Sequence, residues 1–304
     1  MPKCLVCFQS TEVGDYHQRC CRSLFDVSQP LTVDFGCADL PKEGLRLLAV
    51  KGPIPGVQTK LSLARDAGDP RRLTVQNFRG RFILKPPSPE YPHLPENEAL
   101  CMELSSILGI QTAPHGLIRM ADGALAYLSR RFDRPAEGVR LHQEDFCQLS
   151  ERPAADKYKG SLEAASKVLR FSRQPGLDAV RFLELNLFCR LSGNADMHLK
   201  NFSLLETAPG DWVLSPAYDL VSTVLVLPGD HEETALTING KKSRLTKNDW
   251  RAFSGRLEIP EKVFENLWAR FVKSFPKVEE TVRRSFLPEN SQRDFLELFK
   301  KRLD

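Results

Sequence analysis

Apolar and polar residues alternate in short runs through the first half of the chain, and apolar residues recur every three or four positions through most of the second. Runs at residues 47–50, 59–63, 73–76, 81–85 and 125–132, separated by turn signals, predict strands. One helix interrupts them, opened by Pro95-Glu96-Asn97-Glu98 and carrying Leu100, Leu104, Ile107 and Leu108 at helical spacing until Gly109. After a Pro-Gly loop at 135–138 the period predicts helices at 143–149, 162–171 and 178–191, the last following a stop at Pro175-Gly176. Short strands return at 202–205 and 212–214, and 260–273, 278–286 and 295–303 read as closing amphipathic helices. Phe264, Trp268, Phe271 and Phe275 fit a core stripe on one of these better than a stacking platform. The expected class is α+β, with a Cys-rich element at 1–40, a sheet-rich N-lobe at 41–134 and a mainly helical C-lobe at 135–304, connected through residues 129–135.

Composition narrows the function classes. The 304 residues are 41% hydrophobic and 27% charged, which is ordinary for a globular chain and excludes fibrous or disordered classes. A net charge of +4 is too small and too dispersed to indicate a nucleic-acid binder. No apolar run approaches the roughly 18 residues that span a bilayer, so no membrane partner is expected. The start Met-Pro-Lys-Cys-Leu-Val-Cys lacks the basic and apolar regions of a signal peptide. A cytoplasmic location follows as the expectation, with the eight cysteines reduced or ligating metal.

The chemistry concentrates after the 178–191 helix, in Ser-Gly-Asn-Ala-Asp-Met-His-Leu-Lys-Asn at 192–201. Asp196 and Asn201 have the D-x-x-x-x-N spacing of a kinase catalytic loop, in which the carboxylate accepts the substrate hydroxyl proton and the amide holds a metal. One loop turn separates the direction of an attacking oxygen from that of a magnesium ion bridging phosphates. Eighteen residues later, Pro-Ala-Tyr-Asp-Leu-Val-Ser supplies Asp219 as a second hard oxygen ligand. In isolation such a loop has another reading, since Asp and Asn also mark turns through local hydrogen bonds.

Upstream, residues 52–60 lie between two predicted strands, where a glycine-containing turn can present N–H groups to phosphate. This segment is neither a Walker A nor a G-x-G-x-x-G loop, and an ordinary hairpin connection is the alternative. The run Arg81-Phe82-Ile83-Leu84-Lys85 ends in a lysine that Glu98 on the next helix can pair, as kinases require. An exposed strand-end lysine is the competing reading. Loop, lysine, glutamate, connector, D-x-x-x-x-N and late aspartate follow kinase order, which refines the expected class to a two-lobed protein-kinase-like fold.

These motifs resemble the HipA-like serine/threonine kinases, toxins of bacterial toxin–antitoxin modules, and the length resembles the short HipT type of HipBST-like modules. The resemblance rests on Gly56-Val57-Gln58-Thr59-Lys60-Leu61-Ser62, Phe82-Ile83-Leu84-Lys85-Pro86, Glu96-Asn97-Glu98, Arg131-Phe132-Asp133-Arg134, Glu144-Asp145-Phe146-Cys147-Gln148, Lys157-Tyr158, residues 193–203 and Pro216-Ala217-Tyr218-Asp219-Leu220. It implies ATP and Mg2+ as cofactors, Asp196 as proton acceptor, and Asn201 and Asp219 as metal ligands. It further implies Lys85 on the phosphates, with Pro55, Gly56, Val57, Gln58, Thr59 and Lys60 as the loop above them. Arg130, Arg131 and Phe132 become the hinge meeting adenine through main-chain atoms, and His198, Leu199, Lys200 and Tyr218 line the nucleotide site.

The implied partners are a translation-related protein substrate, an aminoacyl-tRNA synthetase of the glutamyl or tryptophanyl kind, and separate HipS-like and HipB-like antitoxins. DNA would be met only through the antitoxin. Two departures stand out. Family loops commonly carry a serine phosphorylated in cis, whereas here Pro53 and Pro55 bracket Ile54 and also remove N–H donors. Autophosphorylation is therefore excluded within 52–58, leaving Thr59 and Ser62 as the nearest acceptors. The second is Arg130, where the hinge often has Glu. A small-molecule phosphotransferase and a catalytically silent kinase-like binding module are the alternative functions. The doublets Arg71-Arg72, Arg130-Arg131 and Lys241-Lys242 read as solvated surface rather than contacts to tRNA or an acidic partner.

The N-terminal cysteines make a separate signal. Cys4-Leu5-Val6-Cys7, nine residues, then His17-Gln18-Arg19-Cys20-Cys21 can supply four zinc ligands with knuckle-like spacing. Reduced thiols in a small packed element, with His17 as a cap or surface residue, are the other reading. Cys101, Cys147 and Cys189 sit among apolar residues as core fillers.

Overall fold

The computed structural model describes residues 1–40, 59–76, 80–227, 229 and 231–303, so the expected strand at 47–50 and loop residues 55–58 lie outside the described residues. The chain divides into two compact units. The first holds residues 1–103, 113–140 and 284–287, and the second holds 104–112, 141–283 and 288–304.

The first unit is built on an antiparallel sheet of β1 (Leu61–Arg65), β2 (Leu73–Val75), β3 (Phe82–Lys85), β4 (His115–Arg119) and β5 (Leu125–Arg130), in the order β2-β1-β3-β5-β4. Side chains alternate across the pleat, so Phe82 and Leu84 enter one core while Lys85 faces the opposite side. That core takes Leu61, Leu63, Leu73, Ile118, Ala126 and Leu128 from the strands. From the chain start it takes Cys4, Val6, Cys20, Cys21, Leu24 and Phe25, the last four from the helix Gln18–Phe25. The Cys-rich start therefore covers one sheet face.

β4 is absent from the sequence pattern because His-Gly-Leu-Ile-Arg does not alternate. Four of its five residues are buried, and Gly116 is needed for close approach, since a Cβ there would stand 2.8 Å from Val6 Cγ2. The helix Leu94–Ile107 matches expectation, and the division between units falls within it.

The second unit carries an antiparallel sheet of β6 (Gln143–Asp145), β7 (Ser203–Ala208) and β8 (Asp211–Leu214) in chain order. The expected helix at 143–149 is corrected to β6 followed by a single turn, Phe146–Leu149. Asp145 ends the strand and caps the turn by accepting from the Gln148 amide at 2.9 Å. Pro175-Gly176, read as a stop, instead starts the helix Pro175–Ser192, because a first-turn proline gives up no intrahelical bond.

The expected helices 260–273 and 278–286 are one, Glu261–Arg284, running through Pro276. The carbonyl that Pro276 leaves unbonded belongs to Val272, which is exposed, so water can serve it. Phe264, Trp268 and Phe271 are core as expected. The helix Glu289–Leu303 packs on Pro175–Ser192. Near that contact Arg190 reaches Glu233 Oε2 at 2.9 Å, the Leu245 carbonyl at 2.7 Å and the Arg302 carbonyl at 2.5 Å. Among the described residues no helix is long and apolar enough to cross a membrane.

Candidate active site

In the second unit, the helix Pro175–Ser192 ends at Gly193, whose φ of 80° lies in the left-handed region that glycine tolerates. The chain then folds on itself through its own polar atoms. Asn194 Oδ1 accepts from the Asp196 amide at 2.9 Å, and Thr223 Oγ1 accepts from the Ala195 amide at 2.9 Å. Asn201 Nδ2 donates to the Asp196 carbonyl at 3.0 Å, and the Asn201 amide donates to the His198 carbonyl at 2.9 Å. The five-residue spacing is thus a closed turn in which the side chain of its last residue holds the main chain of its first.

The Asp196 carboxylate accepts a short hydrogen bond from the Tyr158 hydroxyl. Burial and the Asp196 charge together push the Tyr158 phenol well above its ordinary value. Tyr158 also stands edge-on to His198, with ring centroids 4.9 Å apart. Burial holds the His198 imidazole below its usual range, against the attraction of Asp196. His198 is 4% exposed, and its Nδ1 has no hydrogen-bond partner among the described residues. Leu199 is buried, and its amide donates to the Lys157 carbonyl at 3.1 Å.

Tyr218 joins the late aspartate segment to this loop. Its hydroxyl donates to the Lys200 carbonyl at 3.0 Å and lies 2.6 Å from Ser203 Oγ, and burial pushes its phenol up. Asp219 follows with φ 60°, a left-handed conformation that Asp adopts more readily than most residues. Lys200 Nζ pairs with Asp145 Oδ2 at 2.5 Å. Asp196, His198, Asn201, Tyr218 and Tyr158 therefore belong to one bonded neighbourhood, and Asp219 follows Tyr218 directly in the chain. As a donor set, the Asn201 amide oxygen and the Asp219 carboxylate are hard oxygens of the kind magnesium takes.

In the first unit, Lys85 Nζ lies 2.5 Å from Glu98 Oε1, with the two side chains only 6% and 3% exposed. Tyr127, cross-strand from Lys85, presents its ring 5.4 Å from the ammonium. The expected strand-end lysine is thus buried and paired rather than exposed. At the expected hinge, the Arg130 and Arg131 amides donate to the Pro114 and Arg81 carbonyls, both at 2.8 Å. The side chains turn elsewhere, Arg130 to the Ser23 carbonyl and Asp26, and Arg131 in a fork to Asp133. Of the two expected phosphate acceptors, Thr59 is exposed while Ser62 Oγ is buried within the sheet.

Sequence reasoning assigned no role to Tyr158, Asn194 or Thr223. Asn194 has a local signal, two residues before Asp196, as in side-chain-closed turns. Thr223 has none, because it comes from 28 residues beyond Ala195.

Comparison with known proteins places this geometry in context. A family model for the HipA-like C-terminal domain matches residues 52–279. A protein of Sinorhizobium fredii named as a kinase, Y4mE, is 36% identical over 225 residues, 70% of this chain and 51% of its own length. A second from that organism, Y4dM, is 31% identical over 255 residues, 78% of this chain and 61% of its own. The serine/threonine-protein kinase toxin HipA of Shewanella oneidensis is 28% identical over 246 residues, 74% and 55% of the two chains. The chain thus spans about half to three fifths of the length of these relatives.

Among solved structures, HipA from the Shewanella oneidensis HipA, HipB and operator DNA complex superposes with a TM-score of 0.68 at 24% identity, covering 83% of this chain and 63% of that one. The Helicobacter pylori proinflammatory kinase CtkA gives 0.54 at 14% identity, covering 83% and 90%. At these identities the likeness establishes an α+β kinase-like fold. With the family match spanning most of the sequence, from the 52–60 segment through the catalytic-type loop to the closing helices, the chain belongs to the HipA-like C-terminal domain family.

Proposed function

We propose that the chain is an ATP- and Mg2+-dependent serine/threonine protein kinase, the toxin of a toxin–antitoxin module of the short HipT type, working in the cytoplasm. The observation that carries the reading is the Asp196–Asn201 turn. The Asn201 side chain pins the Asp196 main chain while Tyr158 orients its carboxylate. A fixed carboxylate is what hydroxyl phosphorylation needs as proton acceptor, because phosphoryl transfer relies on positioning and electrostatics rather than covalent help.

In this reading Asp196 takes the substrate hydroxyl proton as the oxygen attacks the γ-phosphorus and ADP leaves. Asn201 and Asp219 would hold magnesium, which supplies charge neutralisation on the phosphates. Lys85, oriented by Glu98, binds phosphate oxygens, while His198, Leu199, Tyr218 and the 55–60 segment border the nucleotide. The relative named as a serine/threonine-protein kinase toxin supports the toxin assignment, and the neighbour solved with HipB and operator DNA supports a HipB-like antitoxin with DNA held indirectly. A HipS-like second antitoxin and an aminoacyl-tRNA synthetase substrate complete the proposal.

The deciding experiment incubates the chain and its Asp196→Asn variant with γ-labelled ATP, Mg2+ and a cell extract. Label on a protein serine or threonine, lost in the variant, is the expected result. Label on a metabolite would establish the small-molecule phosphotransferase instead. Growth arrest that persists with Asp196→Asn, without label, would establish a silent binding module.

A further inference from the structure

The first 20 residues carry chemistry that phosphoryl transfer does not use. Cys4 Sγ, Cys7 Sγ, a His17 ring nitrogen and Cys20 Sγ all lie within 4.8 Å of one another, and all eight cysteines of the chain are free thiols. His17 Nδ1 is 3.4 Å from Cys7 Sγ and 3.9 Å from Cys20 Sγ. A tetrahedral zinc with bonds of about 2.3 Å to sulfur and 2.0–2.1 Å to nitrogen sets ligand atoms about 3.5–3.8 Å apart. The two His17–sulfur separations, 3.4 and 3.9 Å, bracket those values, and the whole set, within 4.8 Å, needs only a small contraction to reach them.

Three further features are those of a ligand shell. His17 Nε2 lies 3.0 Å from the Ser10 carbonyl, which can only accept. The proton therefore sits on Nε2, and the Nδ1 lone pair is directed at the sulfurs, the arrangement in which a histidine ligates metal. His17 occupies the N-cap position of the helix Gln18–Phe25, yet its side chain makes no capping bond. Phe8, directly after the Cys4-x-x-Cys7 turn, has φ 59°. A bulky residue in that region is strained, and such strain persists where surrounding structure demands it.

We propose that Cys4, Cys7, His17 and Cys20 form a structural Zn2+ site. Three thiolates and an imidazole in a closed tetrahedral set are a donor combination that selects zinc, and with no position left for water the site is structural rather than catalytic. Its consequence is mechanical. The knuckle presents the Leu5 carbonyl, which accepts from the Leu117 amide at 2.7 Å, so the knuckle is tied to edge strand β4. It also sets Val6 against Gly116 and Tyr16 Oη on the Leu117 carbonyl at 2.8 Å. Zinc therefore staples residues 1–25 onto the sheet that carries Lys85.

The test is elemental analysis of the full chain purified under reducing conditions, with cobalt substitution as a second readout. About one zinc per chain is expected in the wild type and in Cys21→Ser, whose thiol adjoins the cluster without joining it, against less than about a tenth in Cys4→Ser/Cys7→Ser. Should the double variant fail to fold, His17→Cys keeps four ligands and is expected to retain zinc. Wild-type chain stripped by a chelator is expected to melt at a lower temperature and, given Co2+, to show thiolate charge-transfer and tetrahedral d–d bands. Folded wild-type chain that holds no zinc after reconstitution and desalting would overturn the proposal. So would zinc retained by the double variant, or iron with inorganic sulfide in zinc's place. None of these readouts depends on phosphotransfer.

Discussion

The Tyr158 hydroxyl donates to the Asp196 carboxylate, so the side chain expected to accept a substrate proton already carries one hydrogen bond. An ionised carboxylate has about four lone-pair sites, so this bond fixes the group in rotation and leaves room for a second hydroxyl.

Removing the donor separates orientation from chemistry. Hydrogen bonds to charged groups are worth about 1.5–3 kcal/mol, and the 39% exposure of Tyr158 puts this one at the lower end. Tyr158→Phe is therefore expected to lower kcat by about tenfold with KM for ATP little changed, since 1.36 kcal/mol corresponds to one decade. Asp196→Asn is expected to cost about 10²–10⁴, the usual worth of a positioned acid–base group. Steady-state phosphotransfer assays on the two variants check the ordering, and equal losses would contradict it.

Lys85 and Glu98 form a pair with almost no exposure to water. Breaking a buried pair by removing one partner typically costs about 3–5 kcal/mol, because a charge is left uncompensated. Lys85→Met or Glu98→Gln alone should therefore lower the melting temperature clearly. Lys85→Met combined with Glu98→Leu should recover most of that loss, since both charges are gone. Phosphotransfer should stay undetectable in the double variant, because the ammonium proposed to bind phosphate is absent. Thermal denaturation beside an activity assay distinguishes a lysine that only holds the fold from one that also serves the reaction.

These two pairs also show how much was legible in sequence. Lys85 with Glu98, and Asp196 with Asn201, were readable because their partners sit at spacings fixed by one strand-to-helix step or one loop turn. The strands β1, β2, β3 and β5 were readable from alternation, to within two residues at their starts. β4 was not, because Gly116 supplies space for Val6 rather than an apolar face, a need visible only once residues 1–8 are packed. Tyr158 and Thr223 were not readable as site-builders, because they reach the loop from 38 and 28 residues away. Pro175, read as a stop, and Pro276, which lies in the gap left between two expected helices, both sit inside helices for a common reason. Proline breaks helices by withholding one N–H; the first turn of Pro175–Ser192 does not need it, and at Pro276 the residue whose carbonyl loses its partner, Val272, lies on the exposed face of the helix.

His198 gives a pH signature. Burial lowers its pKa from the ordinary 6.5, so below about pH 6.5 the unfolded chain binds a proton that the folded chain resists. The unfolded state then carries more bound protons, and stability rises with pH in that window. The neutral His198 contribution is fully present above pH 6.5 and is lost as pH falls toward the folded value. Urea denaturation from about pH 5 to 7.5 should show a smaller slope in His198→Gln than in the wild type. Parallel profiles would rule out His198 as the titrating group.

Gly193 sets the point where the helix Pro175–Ser192 hands over to the catalytic-type loop, and two independent constraints act on it. Its φ of 80° is costly for any residue with a Cβ, by about 1–2 kcal/mol. A Cβ would also stand 2.6 Å from Leu298 Cδ2 and 2.9 Å from Ser222 Oγ. Relief by local movement is restricted, because the Gly193 carbonyl accepts from Thr223 Oγ1 at 3.0 Å and from the Val224 amide at 3.2 Å. Gly193→Ala is therefore expected to destabilise by about 2–4 kcal/mol, backbone strain and overpacking together. It should also reduce phosphotransfer more than the stability loss explains, because the same displacement moves Asp196 three residues on. Adding Leu298→Ala removes the nearest clash but neither the strained φ nor the Ser222 contact. Stability should then recover in part while activity stays low, and full recovery of both would show that the glycine is needed only for space.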